Sequence, residues 1–216
     1  MRILLIIIMF ITNHVYASGD IYHELYQNPD EAKQILSLQP DDSYIGNEEA
    51  PITMITYSSL SCFHCADFYV DVFPKIKEVF IDTGKVKYIH RDFPSDKASL
   101  KGAALVHCAD KAKSFVFLKV LFEKQSVWAG QKNYEEILEN IGKLGGMSGE
   151  QIQKCLNDKD VENQILTKRM NASKIIDKKD GKASIGGTPC FFINGRKYVG
   201  KMDFESIEVE INSSIK

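Results

Sequence analysis

Tyr57-Ser-Ser-Leu-Ser-Cys62-Phe-His-Cys65-Ala-Asp-Phe68 is the stretch around which this chain of 216 residues is organised. It follows an apolar run, residues 51–57, that predicts a buried strand, and it leads into residues 68–80, where apolar side chains recur at helical spacing. Two cysteines therefore lie where a strand passes into a helix. Backbone N–H groups and the helix dipole favour an anion there, so the Cys62 thiol is expected to ionise below the ordinary pKa of about 8.5.

The spacing of this cysteine pair fits two kinds of chemistry. With Cys65 on the first helical turn, the two sulfurs are close enough to form and open a disulfide. Cys-x-x-Cys is also half of a zinc site, but the sequence contains no second Cys-x-x-Cys and no His-x3-5-His pattern. The sequence therefore favours disulfide exchange at Cys62 and Cys65.

The first residues predict export. Residues 3–11 form an uncharged apolar run after Met1-Arg2, and Val15-Tyr-Ala17 supplies the small residues that a signal peptidase recognises. We predict a signal peptide over residues 1–17 and a periplasmic mature chain, a compartment in which disulfides persist. The alternative is a membrane anchor, although a helix needs about 20 apolar residues to cross a hydrocarbon core.

The charge balance excludes two classes of partner. Removal of Arg2 with the signal peptide changes the formal net charge from −2 to −3. This balance indicates neither nucleic acid nor an anionic membrane surface as a partner. Nearly 200 residues are enough to bury a substantial core without the help of disulfides.

The pattern of strands and helices predicts an α/β fold in which a sheet opens before a run of helices and closes after it. Residues 18–43 are expected to form a helical extension and linker, with Asn28 as an N-cap before Pro29. This extension either lies on the domain or serves as an oligomerisation arm. Strands are expected at 45–46, 52–57, 85–90, 190–193 and 197–199, helices at 63–82 and over 96–178, and a last helix capped by Asp203.

Several motifs in this order resemble the DsbA-type thiol–disulfide oxidoreductases of the thioredoxin superfamily. They are Cys62-Phe-His-Cys65 after a strand, the helical insertion, and Gly187-Thr188-Pro189 before a hairpin, supported by residues 45–51, 92–94 and 191–195. The resemblance covers nearly the whole mature chain. It implies a thioredoxin fold whose first part, residues 44–95, and second part, residues 179–216, enclose an inserted helical domain at 96–178.

The resemblance also implies roles for residues at the cysteine pair. Cys62 would be the attacking thiolate and Cys65 the resolving thiol. His64 would stabilise the Cys62 thiolate, or be an exposed histidine without a role. Thr188 would hydrogen-bond near the Cys62 sulfur.

Substrate contacts are implied at two places. Pro189, with a cis peptide bond, would lie against the cysteine pair, and the backbone beside it would pair with a substrate peptide as an added strand. Phe63 would provide an apolar contact for unfolded protein.

One position departs from the family pattern. Thr56 stands six residues before Cys62, where the family often has a buried Glu that helps to move the proton of the resolving cysteine. A threonine hydroxyl cannot act as a base near pH 7, so water or another group must take that proton.

Three further cysteines remain. The resemblance to one DsbA branch implies a structural disulfide between Cys108 and Cys155, the alternative being two buried thiols. Cys190 is then left over, either as a small buried residue or as a third redox or metal-binding sulfur near Cys62.

The sequence thus predicts an exported oxidase that transfers its Cys62–Cys65 disulfide to secreted proteins and needs no dissociable cofactor. The family implies unfolded or reduced proteins as substrates and a membrane partner that re-oxidises the pair. Two alternatives stay open. One is a disulfide isomerase or reductase on the same fold; the other is a protein that holds copper(I) with Cys62, Cys65 and Cys190, with or without His64.

Overall fold

The computed structural model describes residues 21–215, so the predicted signal peptide at 1–17 lies outside the described residues. The strands form one mixed sheet in the order β1-β3-β2-β4-β5. Strand bounds are β1 Ser43–Ile45, β2 Ile52–Ser58, β3 Val86–Asp92, β4 Cys190–Ile193 and β5 Arg196–Lys197. β2 runs parallel to β3 and antiparallel to β4, so it is the central strand.

The helices belong to the N-terminal extension, to the insertion, or to the two parts of the thioredoxin fold on either side of it. The N-terminal extension forms α1 Ile21–Leu25 and α2 Pro29–Leu36, and α3 covers residues 63–81. The insertion forms α4 Lys97–Cys108, α5 Ser114–Glu123, α6 Gln125–Trp128, α7 Tyr134–Leu144, α8 Gly149–Leu156 and α9 Lys159–Ala172. The last helix, α10 Phe204–Ser214, begins with Asp203 as N-cap, whose carboxylate accepts a hydrogen bond from the Ser206 N–H, as predicted. Between Ile21 and Ile215, no helix is long and apolar enough to cross a bilayer.

The alternation of side chains along the strands gives the sheet two covered faces. We call the first the helical face, because α3 and the insertion cover it. Its buried strand residues are Ile52, Met54, Val86, Tyr88, Phe191 and Ile193. We call the second the extension face, because Tyr26, Ala32 and Leu36 of the extension cover it. Its buried strand residues are Ile55, Tyr57, Ile89, Cys190 and Phe192.

Helix α3 widens from α-helical to π-helical pitch twice. The segments Phe63–Asp67 and Phe73–Ile76 are α-helical, whereas Phe68–Val72 and Lys77–Ile81 are π-helical. Pro74 explains the first change, because proline lacks an N–H and its ring clashes with the carbonyl four residues earlier. The wider turn gives the Phe73 N–H a partner in the Phe68 carbonyl. The helix ends before Gly84, which has a positive φ of 76°, close to the predicted end.

The insertion is tied together and shares its core with the sheet. A disulfide joins Cys108 on α4 to Cys155 on α8, with 6.1 Å between the Cα atoms, the pairing that the resemblance implies. Buried residues of α4, α5, α7 and α8 belong to the same apolar cluster as the helical face. The sheet and the insertion therefore pack as one body.

The final hairpin differs from the sequence expectation. Asn194 and Gly195 both have positive φ, 46° and 79°, as the predicted Asn-Gly turn requires. The strand predicted over 197–199 is wrong, since β5 contains only Arg196–Lys197 and Val199 is 84% exposed. The Tyr198 N–H still donates to the Phe191 carbonyl at 2.9 Å, so the chain leaves the sheet only after Tyr198.

Candidate active site

The cysteine pair lies at the junction of β2 and α3. Cys62 is the N-cap of α3 with extended backbone, and its carbonyl accepts hydrogen bonds from the N–H groups of Cys65 and Ala66 at 3.0 and 3.2 Å. Cys65 is fully buried on the first turn, whereas Cys62 is half-buried. Both are in the reduced state, without a disulfide between them. Only one sulfur of the pair is therefore open to another molecule.

Gln125 on α6 fixes the loop that carries Cys62, a role that sequence reasoning missed. Its buried amide donates hydrogen bonds to the carbonyls of Leu60 and Cys62, at 2.8 and 2.9 Å. A polar residue at the start of a short helix gives no signal by itself in the sequence. The insertion thus contributes directly to the geometry of the site.

The Thr188–Pro189 peptide bond is cis and lies beside the cysteine pair. The Cys62 Sγ atom is 3.3 Å from the Thr188 carbonyl oxygen, although the two residues are far apart in the sequence. The structure therefore brings together Cys62, Cys65, Thr188 and Pro189.

Hydrogen bonds divide the protons unequally between the two thiols. A hydrogen bond from the Cys65 side chain, together with the Thr188 side chain and the backbone N–H groups of Cys65 and His64, outweighs burial and lowers the pKa of Cys62 to about 5. The same hydrogen bond and burial raise the pKa of Cys65 well above its ordinary value. The Thr188 carbonyl accepts a hydrogen bond only from the protonated thiol, so it opposes this ionisation without reversing it. Near pH 7 Cys62 is a thiolate and Cys65 a thiol.

His64 and Phe63 project into solvent. The two rings are tilted at 38° to each other with 3.9 Å between their centroids, and the His64 Nδ1 atom lies 3.8 Å from a carboxylate oxygen of Asp67. The backbone N–H of His64, rather than its ring, acts on the Cys62 sulfur. Phe63 is 63% exposed. The predicted roles of the imidazole and of Phe63 stay predictions.

Cys190 does not join the site, although it follows Pro189 directly. Its side chain belongs to the extension face, whereas Cys62 and Cys65 pack with the helical face. Burial raises the pKa of Cys190 to about 11. Within residues 21–215, no group of three or more His, Cys, Asp or Glu side chains is arranged to hold a metal ion. The structure therefore does not bring together the three sulfurs that the copper alternative requires.

A row of buried polar groups on the helical face was also missed by sequence reasoning. Six side-chain atoms are buried and have no hydrogen-bond partner within residues 21–215; one is Arg169 Nε on α9, and the other five form this row: Thr56 Oγ1, Ser58 Oγ, Tyr69 OH, Tyr88 OH and His90 Nδ1. A buried polar group without a partner costs about 1–3 kcal/mol, so such groups are rare and call for an explanation. The available signal was the polar residue at every second position where β2 and β3 end.

Asp92 closes this row at the end of β3. Its buried carboxylate lies 3.4 Å from His90 Nε2 and 3.2 Å from His107 Nε2 of α4. Burial would raise the pKa of Asp92, but the hydrogen bonds from His107 and His90 outweigh it and lower that pKa well below its ordinary value. The Asp92-Phe-Pro94 corner thus holds a buried carboxylate between two imidazoles.

Several known proteins are similar to this chain in sequence and architecture. A family model described as Thioredoxin matches residues 38–213. A Rickettsia felis protein named "Putative protein-disulfide oxidoreductase" is 33% identical over 85% of this chain, and the chain spans 64% of that protein's length. A Bacillus anthracis protein named "Probable disulfide bond formation protein D" is 25% identical over 91% of this chain and 88% of its own. The crystal structure of Wolbachia pipientis alpha-DsbA1 is 33% identical, with a TM-score of 0.75 over 84% of this chain and 94% of that one.

Proposed function

Because the chain belongs to the thioredoxin family and has the architecture of its DsbA-like members, we propose that it is an exported thiol–disulfide oxidoreductase that introduces disulfides into secreted proteins. One observation supports this proposal above all others. A half-exposed sulfur of low pKa, Cys62, is hydrogen-bonded to a buried sulfur of high pKa, Cys65, beside cis-Pro189. This arrangement gives one nucleophile or leaving group at the surface and one resolving thiol behind it.

The proposed reaction begins with the Cys62–Cys65 disulfide. A substrate thiolate attacks Cys62 Sγ, the bond between the two cysteine sulfurs breaks, and Cys65 leaves as a thiolate that takes up a proton. A second substrate thiolate then attacks its own sulfur in the mixed disulfide. Cys62 leaves as the stabilised thiolate, and the substrate has lost two electrons to the pair. The pair itself carries these electrons, so no dissociable cofactor enters the scheme.

The surface around the pair suits an extended peptide. Gly186 and Gly187 are exposed, and a Cβ atom at either position would meet only open space. Their backbone is therefore accessible for pairing with a substrate strand, the mode of recognition that the family implies. We propose that Phe63 supplies an apolar contact beside this strand.

The low pKa of Cys62 favours the oxidase over the isomerase or reductase. A stabilised thiolate lowers the free energy of the reduced protein, and each 1.4 kcal/mol of this stabilisation makes a two-electron couple about 30 mV more oxidising. The electrons would then pass to a membrane partner that re-oxidises the pair. The predicted signal peptide supports the periplasm as the place where both steps occur.

Cysteine variants test the assignment of roles. We expect Cys62→Ser to abolish oxidation of a reduced secreted protein, and Cys65→Ser to accumulate mixed disulfides between Cys62 and the substrate. Cys190→Ser is the matched control, since this cysteine lies on the other face of the sheet, and its oxidation rate should match that of the unchanged protein. Alkylation of Cys65 rather than Cys62 at low pH would show that the roles are reversed.

Equilibration with glutathione tests the direction of electron flow. We expect the Cys62–Cys65 couple to be more oxidising than the glutathione couple. A potential equal to or more reducing than that of glutathione would replace the oxidase by the isomerase or reductase, because such a pair would be kept reduced.

A further inference from the structure

We propose that His90, oriented by Asp92, is the group that exchanges the Cys65 proton with solvent, through the buried hydroxyls of Thr56 and Tyr88. This inference rests on the proposed function, because it concerns the step in which Cys65 closes or opens the disulfide. It answers the question raised by Thr56, which stands where the resembling family often has a buried Glu.

The register of the sheet places these groups side by side. Thr56 of β2 pairs with His90 of β3, and Ser58 pairs with Asp92. Alternate residues share a face, so Tyr88, His90 and Asp92 project with Thr56 and Ser58 to the helical face, where Cys65 is buried. The polar row therefore extends along two neighbouring strands from the neighbourhood of Cys65 to the end of β3.

His90 has the hydrogen bonding of a base. Its Nε2 atom faces the Asp92 carboxylate, while its Nδ1 atom is buried and has no partner within residues 21–215. A neutral imidazole that donates from Nε2 to Asp92 leaves Nδ1 as an acceptor. A base held by a carboxylate is the arrangement by which proteins activate a nucleophile. Asp92 thus acts as a positioning residue.

The hydroxyls of Tyr88 and Thr56 are the candidates for a link between Cys65 and His90. The Tyr88 hydroxyl lies within electrostatic range of Cys65, and the Thr56 hydroxyl is near enough to act on the pKa of Tyr88, although the two atoms do not meet the geometry of a full hydrogen bond. The Tyr69 ring meets the His90 ring edge-on at 6.0 Å between centroids. Each hydroxyl donates and accepts, so a hydroxyl or an ordered water placed between these groups passes a proton in either direction.

The outer end of the row reaches the surface. His90, Asp92 and His107 help to line a cavity of about 280 Å³ at the edge of the sheet. The titratable side chains near His90 are Asp92 and Tyr88 of β3, Tyr69 of α3 and His107 of α4. Charged residues elsewhere around the cavity are Glu31, Asp41, Asp42, Arg91, Lys168 and Lys174. These residues set the electrostatic field at the outer end of the row.

During re-oxidation, Cys65 must lose a proton before it can attack Cys62. Cys62 first forms a mixed disulfide with a disulfide oxidant. The Cys65 S–H bond then breaks, its proton passes through the hydroxyls to His90 Nδ1, and the Cys65 sulfur attacks Cys62. A disulfide forms between Cys65 and Cys62, the oxidant's second thiolate leaves with two electrons, and His90 releases the proton to the cavity. When a substrate opens the disulfide, a proton moves along the same path in the opposite direction, from His90 to the Cys65 thiolate.

The reaction with oxidised glutathione has two steps, and only the second requires the proposed proton path. Acid quenching and mass spectrometry follow the formation of the glutathione adduct on Cys62 and its decay by ring closure, from pH 5 to 9. Formation depends on the Cys62 thiolate, whereas closure requires Cys65 to lose its proton. His90→Gln is the test variant, because the amide still donates to Asp92 but does not titrate.

We expect His90→Gln to slow closure at pH 7 by at least about tenfold, within the range of general acid–base catalysis. Its closure rate should rise steadily with pH, whereas that of the unchanged protein levels off once His90 is neutral. Adduct formation and the equilibrium with glutathione should not change. His107→Gln is the matched control, since it removes the other imidazole bound to Asp92 and leaves His90 in place, and we expect normal closure.

A closure rate and pH profile of His90→Gln equal to those of the unchanged protein would overturn the proposal, as would equal slowing by His107→Gln. The double variant Thr56→Val/Tyr88→Phe keeps the shape of the core and removes both hydroxyls, so it decides the question if His90→Gln does not fold. Normal closure in this double variant would also overturn the path. Absence of any adduct on Cys62 in the unchanged protein would instead refute the proposed function.

Discussion

Buried polar groups are hydrogen-bonded on one face of the central strands and lack hydrogen-bond partners on the other. On the extension face, Arg91 donates to Asp42 at 3.1 and 2.6 Å, to the Tyr57 hydroxyl at 3.0 Å and to the carbonyls of Ile35 and Ser37. On the helical face, the hydroxyls and the imidazole nitrogen of the polar row have no partner within residues 21–215. Residues next to each other in one strand thus differ completely in how they are paired.

This difference distinguishes polar groups that hold the fold together from polar groups that are available for chemistry. The Arg91 network is satisfied and ties the extension to the sheet, which fits an extension that lies on the domain. The polar row holds groups whose hydrogen-bonding capacity is unused, and it lies on the face that carries Cys65. Fully paired buried networks stabilise one structure, whereas unpaired groups are available to bind water or move protons.

Asp42→Ala should have the largest effect on stability. It leaves the buried Arg91 charge without its carboxylate, so we expect the free energy of unfolding to fall by about 3–5 kcal/mol. Urea denaturation measures this change. Asp41→Ala is the matched control, because this carboxylate is 53% exposed, pairs with Lys168 and should contribute no more than about 1 kcal/mol. Equal losses for the two variants would contradict the distinction between the faces.

The neighbours Tyr57 and Thr56 allow the same chemical change on each face. Tyr57→Phe removes a hydroxyl that is bonded to a charged group, which should cost about 1.5–3 kcal/mol. Thr56→Val removes an unpaired hydroxyl with little change of shape, so we expect no loss of stability or a small gain. Urea denaturation of the two variants gives both values. A Thr56→Val loss as large as that of Tyr57→Phe would show that the Thr56 hydroxyl is paired after all.

The redox state of the Cys62–Cys65 pair should change the stability of the protein through the helical face alone, and by less than the Asp42 and Tyr57 substitutions do. The pKa of Cys62 is depressed from about 8.5 to about 5, so its contribution to stability is complete above pH 8.5 and is lost as the pH falls towards 5. Cys65 is neutral at pH 7 in both the folded and unfolded states and contributes nothing there. After allowance for solvent screening, the Cys62 thiolate should stabilise the reduced protein at pH 7 by about 1–2 kcal/mol.

Thermal unfolding across pH checks this expectation. The reduced protein should melt above the oxidised one at pH 7, and the gap should close towards pH 5. Cys62→Ser cannot form the disulfide, so its melting temperature should lack the rise between pH 5 and 8.5 that the thiolate gives to the reduced protein, whereas reduced Cys190→Ser should retain this rise. A higher melting temperature of the oxidised protein at pH 7 would point to a reductant.

The sequence was sufficient for the parts of the site that depend on local pattern. A strand followed by Cys-x-x-Cys and a helix placed Cys62 at an N-terminus, and Asn194-Gly195 predicted its turn. The resemblance supplied the long-range pairings of Pro189 with the cysteines and of Cys108 with Cys155, which no local pattern gives.

The sequence analysis could not predict the register of the strands or the face of the sheet to which each side chain points. These two properties determine the rest of the site. Cys190 was considered as a third sulfur near Cys62, but the pleat turns its side chain to the opposite face. Thr56 was identified as a departure from the family, yet its neighbour across the strands, His90, appears only when β2 and β3 are paired. Arg91 and Asp42 likewise meet only through tertiary structure.

The position of β4 also determines the order in which this protein can assemble. Met54 in the central strand pairs with Ile193, which lies beyond the whole insertion in the chain. As the polypeptide emerges from its N-terminus, β2 and β3 are available long before β4, so one edge of the central strand stays open until the final residues arrive. Such non-local pairing slows folding, and an open edge invites other strands. A protein proposed to help others fold is thus itself prone to pair with other chains until its own synthesis is complete.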